Sequence, residues 1–521
     1  MIPVAKGMAA GLVAFAVLAG VAAAQAPTKA PTVADLIARY EAETNAGKLD
    51  VALATAQEAL ALARKGKNPL EIGNALDAMC QASVSLTGSG SAEPCQAAYD
   101  HRLATLGKDH FKTYAAQAAL ANAYFDSQPD RAIAMTRESA ENMERLASTP
   151  DEKADAGAAW YMVALALKFK GDYLGSLPIF EKAAAIMGAP DATPNVALAG
   201  ILTDHADTLI TLGDYEGARS RAEKALEIRE RMQGAGHSDL ADTLGVLGDA
   251  LRRMGRYDEA EAHFRRALRI AENATPPLPH ILGRAYQNLG LTYVFSGRWE
   301  EARDIQLKAV AVFETMGPNG DLSLSSIYND LANTYNYLGE YRKSIEASEA
   351  ALAIILKQHD RKFDRSLSIM TVLANVRFKA GDTAEARALI DEVLETRLAA
   401  APTSSRTADS LMLRAVMKID GEDFAGARTD LEQAAKIIEP LSPNSSLAIR
   451  VNNLLAGVML KLGDTESSYE LAVKAARSQA YVLTNMERVQ SAMGGTQTPA
   501  DRRVIFDTVL DAAWRKTHAG S

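Results

Sequence analysis

The chain has 521 residues, of which 48% are hydrophobic, 6% aromatic and 23% charged, with 56 basic against 65 acidic residues and a formal net charge of −9. Few aromatics beside abundant Ala, Leu, Glu and Arg is the profile of helices packed on helices; it excludes a β-sandwich or barrel, and the acidic balance excludes a nucleic-acid binder working by electrostatics. Two cysteines exclude a disulfide-dense scaffold and any thiolate metal cluster.

The first residues set the expected compartment. Met1–Lys6 is a short basic start, Met8–Gly20 is apolar, and Ala22-Ala23-Ala24 before Gln25 is a small-residue cleavage site. Residues 1–24 therefore read as a secretory signal peptide. A retained anchor is the rival, but the stretch is rich in Ala and Gly and barely long enough to span a bilayer of about 30 Å. No other apolar run reaches membrane length. The expectation is a periplasmic or secreted protein with no membrane insertion after cleavage.

Beyond the leader a period dominates. Gly171-Asp172-Tyr173, Gly213-Asp214-Tyr215, Gly255-Arg256-Tyr257, Gly297-Arg298-Trp299 and Gly339-Glu340-Tyr341 follow one another at intervals of 42 residues, each with a small residue five positions after the glycine. The register continues through Gly381 and, after one irregular 40-residue step, Gly421 and Gly463. Backwards it weakens through Ser127, Gly90 and Gly47, giving eleven units between Pro31 and Gln490. The boundaries drawn are 31–150 for divergent units, 151–400 for the regular array, 401–491 for the C-terminal units and 492–521 for a loop and capping helix.

Each unit reads as two helices. Leu244, Leu247, Gly248 and Leu251 lie at i, i+3, i+4 and i+7 before the glycine, and Ala260, Phe264, Ala267 and Leu268 form a second such face after it. The glycine ends the first helix as a left-handed C′ residue. Small residues at the eighth and twentieth positions mark where the two helices cross.

These residues carry a family resemblance. Leu-x-x-Leu-Gly/Ala-x-x-Leu/Tyr-x-x-x-Gly-x-Tyr/Trp-x-x-Ala resembles the tetratricopeptide repeat (TPR), and the 42-residue period is similar to the kinesin light chain variant. The resemblance implies an all-α, right-handed α-solenoid superhelix with the first helix of each pair on the concave side. Stacking is also required physically, because one hairpin cannot bury its own apolar face.

Cys80 and Cys95 flank Gly88-Ser89-Gly90-Ser91 on facing helices of one unit. In an exported protein a lone pair is expected to form a disulfide, with two buried thiols as the alternative. The eight histidines include no HExxH and no i, i+4 pair, and His205 falls on a core position. No P-loop or GxSxG is present, so catalytic residues, metal and cofactors are all expected to be absent.

Positions 2, 5, 6, 9, 12 and 13 of each first helix should face the groove. They place Asp249, Arg252, Arg284, Gln287, Asn288, Asn329, Asn333, Asn336, Tyr337, Asn375 and Asn453 there. Side-chain amides carry donor and acceptor together, so a ladder of them suits the backbone of an extended peptide. The alternative is a solvated helix face, although Asn and Asp crowded at 329, 330, 333 and 336 cost helix stability.

The tail, Asp501–Thr517 with Arg502, Arg503 and Phe506, reads as a capping helix; it is also similar to the segment preceding caspase-like (CHAT) protease domains. The function expected is a non-catalytic exported scaffold that binds a protein or extended peptide and organises an envelope complex. The alternatives are a regulatory repeat arm for an enzyme on another chain, and self-association through the open ends.

Overall fold

The computed structural model describes residues 31–491 except 88–91, 126, 190–195 and 275–277. The leader, the glycine-rich turn at 88–91 and the tail from 492 onward lie outside the described residues. Among the described residues there are twenty-two α-helices and no strand. They alternate as first and second members of eleven antiparallel pairs. These are α1 (Val33–Asn45) with α2 (Leu49–Gly66), α3 (Pro69–Thr87) with α4 (Glu93–Leu106), α5 (Phe111–Ala123) with α6 (Pro129–Leu146), and α7 (Pro150–Lys170) with α8 (Tyr173–Met187). Then come α9 (Ala197–Leu212) with α10 (Tyr215–Gln233), α11 (Leu240–Arg253) with α12 (Tyr257–Asn273), α13 (Pro279–Phe295) with α14 (Trp299–Glu314), and α15 (Asp321–Tyr337) with α16 (Tyr341–Ile355). The last are α17 (Asp364–Ala380) with α18 (Thr383–Ala400), α19 (Ser405–Asp420) with α20 (Phe424–Leu441), and α21 (Ser446–Lys461) with α22 (Thr465–Ser491). The chain divides into two compact units, Met1–Asn288 and Leu289–Ser521, with the division inside α13.

In most of the pairs the turn follows from its glycine. Gly171, Gly213 and Gly255 have φ of 88°, 87° and 78°, left-handed values that a Cβ disfavours. The next N–H then reaches back to the carbonyl five residues earlier, as in Asp172 to Leu167 at 2.9 Å and Arg256 to Leu251 at 2.9 Å, which satisfies an otherwise orphaned helix-end carbonyl. The irregular step at 421 corrects one expectation. Gly421 has φ −85° and is not the left-handed residue; Glu422, at φ 60°, takes that place, and the Asp423 N–H bonds the Lys418 carbonyl at 2.9 Å. Measured on left-handed residues, the steps from Gly381 to Glu422 and from Glu422 to Gly463 are both 41 residues.

The second helix starts one residue later, where Asp172, Asp214 and Asp423 each accept the N–H of the glycine three residues on at 2.9 Å. Its crossing residue is small for lack of room: Ala218, Ala260, Ala302, Ala386 and Ala427 are all fully buried. On the first helix, a Cβ added to Gly248 would lie 2.7 Å from the ring of Phe264.

In the first unit α7 is buried continuously from Ala156 to Leu167, which is why it reads as apolar all round. Cys80 of α3 and Cys95 of α4 form a disulfide, with Cα atoms 4.5 Å apart, enclosed by Leu76, Val84, Ala98, Leu120 and Ala123. Between the same helices the buried guanidinium of Arg102 donates to Asp77 (Nη2–Oδ2 2.5 Å) and Asn74 (2.7 Å), and it lies where a side chain on residue 73 would stand. Burial raises the Asp77 pKa against the pull of Arg102. The second unit is built around α16 to α21, with Met370, Ile390, Leu411, Leu431 and Val451 at its centre.

Candidate functional site

The first unit carries a cavity of about 600 Å³ whose walls come mostly from first helices. Gly200, Thr203, Asp204 and Asp207 of α9, Asp242, Gly245, Val246, Asp249 and Arg252 of α11, and Arg284 and Asn288 of α13 line it, together with Tyr161 of α7 and Arg229 of α10. These residues form columns at the repeat spacing. Gly200, Asp242 and Arg284 stand 42 apart, as do Asp204, Val246 and Asn288, and as do Asp207 and Asp249. A column arises because the same helical position meets the same face in every stacked pair.

Opposite charges meet across neighbouring first helices. Tyr161 donates its hydroxyl to Asp204 Oδ2 at 2.5 Å, and Lys168 reaches Asp204 Oδ1 at 3.0 Å and Asp207 Oδ2 at 2.8 Å. Burial, then Asp204, raises the Tyr161 phenol well above its usual pKa. For Lys168 burial acts to lower the pKa, and Asp204 and Asp207 together more than offset it. Arg284 pairs with Asp242 of the preceding repeat and Arg252 with Asp249 of its own helix, while Arg229 donates to the Asp239 carbonyl. Burial holds the Arg229 pKa below the usual guanidinium range.

The floor thus presents carboxylates and guanidiniums a few ångströms apart. Carboxylates accept N–H groups and guanidiniums donate to carbonyls, so an extended backbone meets partners for both of its polar groups. Because these side chains already pair with each other, a ligand exchanges partners here and leaves no charge stranded.

Of the sequence-expected residues, Asp249, Arg252, Arg284 and Asn288 converge on this cavity, and Gln287, on the same helix, falls outside its walls. The rest belong to the second unit. Asn333 donates to the Asn329 carbonyl at 3.0 Å, and Asn336 accepts from Lys379 at 2.9 Å, a bond between successive first helices α15 and α17. Tyr337 stacks on Trp299 with centroids 4.3 Å apart, so one ring face is covered. Asn375 is half-buried on α17, and the Oδ1 atoms of Asn329 and Asn453 are buried without a hydrogen-bond partner. Sequence reasoning passed over Tyr161, Asp204, Asp207, Arg229 and Asp242. The positional rule itself would have found Asp204, Asp207 and Asp242, which stand at positions 6, 9 and 2 of their units.

His205 is a core residue. It is 2% exposed, stacks on Phe180 at 5.7 Å and accepts from Arg221 Nε at 3.2 Å. Burial and then Arg221 lower its pKa to about 4. No group of three or more His, Cys, Asp or Glu among the described residues could hold a metal ion, and none of the described helices is long and apolar enough to cross a membrane.

Two family models, both described as tetratricopeptide repeat, match the sequence, one over residues 197–273 and 323–399 and the other over 282–316. Residues 197–273, 282–316 and 323–399 are tetratricopeptide repeats. Among solved structures, the apo form of the quorum sensor NprR from B. thuringiensis has 14% identity and a TM-score of 0.52, covering 71% of this chain and 98% of its own. A Rap protein complexed with competence and sporulation factor has 14% identity and a TM-score of 0.47, covering 83% of this chain and 98% of its own. The APC/C hetero-tetramer Cut9–Hcn1 has 14% identity and a TM-score of 0.40, covering 93% and 96%. At 14% identity the likeness to NprR establishes fold alone. No curated protein matches the sequence. TPR architecture accounts for the glycine turns, the small crossing residues and the columns together.

Proposed function

We propose that this TPR protein is an exported scaffold without catalytic chemistry. It holds an extended segment of a protein or peptide in the groove of its first unit and so organises a complex in the cell envelope. The observation that carries the reading is the cavity of about 600 Å³ in which successive first helices bring carboxylates and guanidiniums together, with Asp207 and Asp249 at the repeat spacing. Its volume falls within the range of ligand-binding clefts. A chain laid across successive repeats would meet carboxylates on α9 and α11 and guanidiniums on α11 and α13. Export is supported by the basic, apolar and small-residue pattern of residues 1–24 and by a buried disulfide, the kind of bond that persists in oxidising compartments.

The test is photo-crosslinking in the source cell. A photoreactive residue at Val246, on the cavity wall, is compared with one at Glu223, an exposed residue of α10. The reading expects a discrete adduct from Val246 that disappears when Asp204 and Arg284 are replaced by Ala. Equal adducts from both positions, or an adduct indifferent to those replacements, would overturn it.

A further inference from the structure

The first unit has a second concavity, lined by α5, α6 and α7 with Gln81 of α3, and of different chemistry. It encloses about 160 Å³, close to the roughly 150 Å³ of an engineered apolar cavity that admits benzene. Its walls are alanines of α5 and α7, with Met143, Met162 and Phe125. Besides Gln81, whose Oε1 accepts from the Tyr40 hydroxyl at 3.3 Å, three polar side chains enter this apolar wall, and each offers an acceptor. Asn122 is 5% exposed and its Oδ1 has no hydrogen-bond partner, an arrangement that costs about 1–3 kcal/mol unless a donor arrives. Thr136 spends its hydroxyl proton on the Ala132 carbonyl at 2.8 Å and keeps only lone pairs to offer. Asp155 is the one ionisable residue of the lining. No cation among the described residues pairs with it, and the charged groups beside it are Asp151 and Glu152 of its own helix.

A pocket of this size, with an exposed carboxylate at its wall that no cation among the described residues pairs with, selects its ligand on three counts. The body must be apolar and no larger than a phenyl group or short alkyl chain, to fill the alanine and methionine walls without stranding polar atoms. The end must donate hydrogen bonds. A positive charge is favoured over a hydroxyl, because it balances Asp155 and because the ring of Phe125 and the thioethers of Met143 and Met162 are polarisable surfaces on which a cation rests favourably.

We propose that this pocket binds a compact apolar group ending in an ammonium, with the ammonium donating to Asn122 Oδ1 and paired with Asp155. Two sources share that chemistry, a free aralkyl amine and the N-terminal residue of a peptide. The site stands apart from the peptide reading of the larger cavity, which has different walls, so either can fail alone.

The test uses the full chain, with chemical shifts of 13C-methyl-labelled Met162 and Met143 followed during titration. The probes are 2-phenylethylamine, its uncharged counterpart 2-phenylethanol, the tripeptide Phe-Gly-Gly and its N-acetylated form. Both methionine methyls are expected to shift saturably with 2-phenylethylamine, with 2-phenylethanol at least tenfold weaker and Asp155→Asn weakening the amine by about tenfold. Asn122→Ala checks the acceptor and Ala159→Leu fills the pocket, which should abolish the shifts; circular dichroism unchanged from wild type shows that each variant is folded. Saturation by Phe-Gly-Gly at lower concentration than by 2-phenylethylamine assigns the site to a peptide N-terminus, and the reverse assigns it to a free amine. Equal affinity for amine and alcohol, amine binding unaffected by Asp155→Asn in a folded variant, or no saturable shift with any amine overturns the proposal.

Discussion

His205 gives the sharpest quantitative test of the first unit's core. Its imidazole is 2% exposed and its pKa is lowered from 6.5 to about 4, through burial first and the neighbouring Arg221 second. The sign follows from proton counts. Between the two pKa values the unfolded chain binds a proton that the native state refuses, so stability is lost as pH falls below 6.5 and the loss is complete near 4. A difference of this size corresponds to about 3 kcal/mol in all, and to about 2 kcal/mol at pH 5 relative to pH 7.5, at 1.36 kcal/mol per pKa unit. Repeat arrays open locally, so amide exchange in α9 read by mass spectrometry is preferable to a global melt. Corrected for intrinsic rates, α9 amides should exchange about thirtyfold faster at pH 5 than at pH 7.5 in the wild type, and the acceleration should largely vanish in His205→Asn, whatever that variant's offset in stability. Equal acceleration in the two proteins, or an NMR titration placing His205 near 6.5, would refute this account of the core.

Further outcomes follow from single contacts. Gly248→Ala places a Cβ 2.7 Å from the buried ring of Phe264 and should cost about 1–3 kcal/mol in urea unfolding, whereas Gly245→Ala meets no atom within 4 Å and should be neutral or stabilising by up to about 1 kcal/mol. Replacing Glu422, at φ 60°, with Gly should stabilise the second unit by about 1 kcal/mol, seen as slower exchange at the α19–α20 turn. Reduction of Cys80–Cys95, which closes a separation of 15 residues, should destabilise the first unit by about 3 kcal/mol on the chain-entropy model, and the Cys80→Ser/Cys95→Ser double variant should become insensitive to reductant.

Much of the architecture was legible because it is written locally. A left-handed glycine, an N-cap and a small crossing residue each constrain a few neighbouring residues, and repetition at 42 residues made them unmistakable. The displaced turn at Glu422 was legible in principle. Asp423-Phe424-Ala425-Gly426 mirrors Asp214-Tyr215-Glu216-Gly217, and the left-handed residue precedes the capping Asp in both, so the cap marks the turn better than the glycine does. The groove was half legible. Attention to amides favoured Asn329, Asn333 and Asn375, while the structure brings together the aspartates and arginines of α9, α11 and α13, where no residue type stands out until the columns are aligned. The amine pocket had no sequence signal, because Asn122 and Asp155 lie in and beside the divergent units, where repeat spacing is irregular and only packing shows which side chains share a wall.

The central claim is that the first unit's charged groove captures an extended peptide, and affinity selection from a displayed random-peptide library on the full chain tests it most directly. Peptides enriched on the wild type should lose at least tenfold in affinity, by fluorescence polarisation, against Asp204→Ala/Arg284→Ala, and should keep their affinity against Asn333→Ala/Asn375→Ala in the second unit. Enriched peptides that bind the Asp204→Ala/Arg284→Ala protein as tightly as the wild type, with its helicity intact, would contradict it.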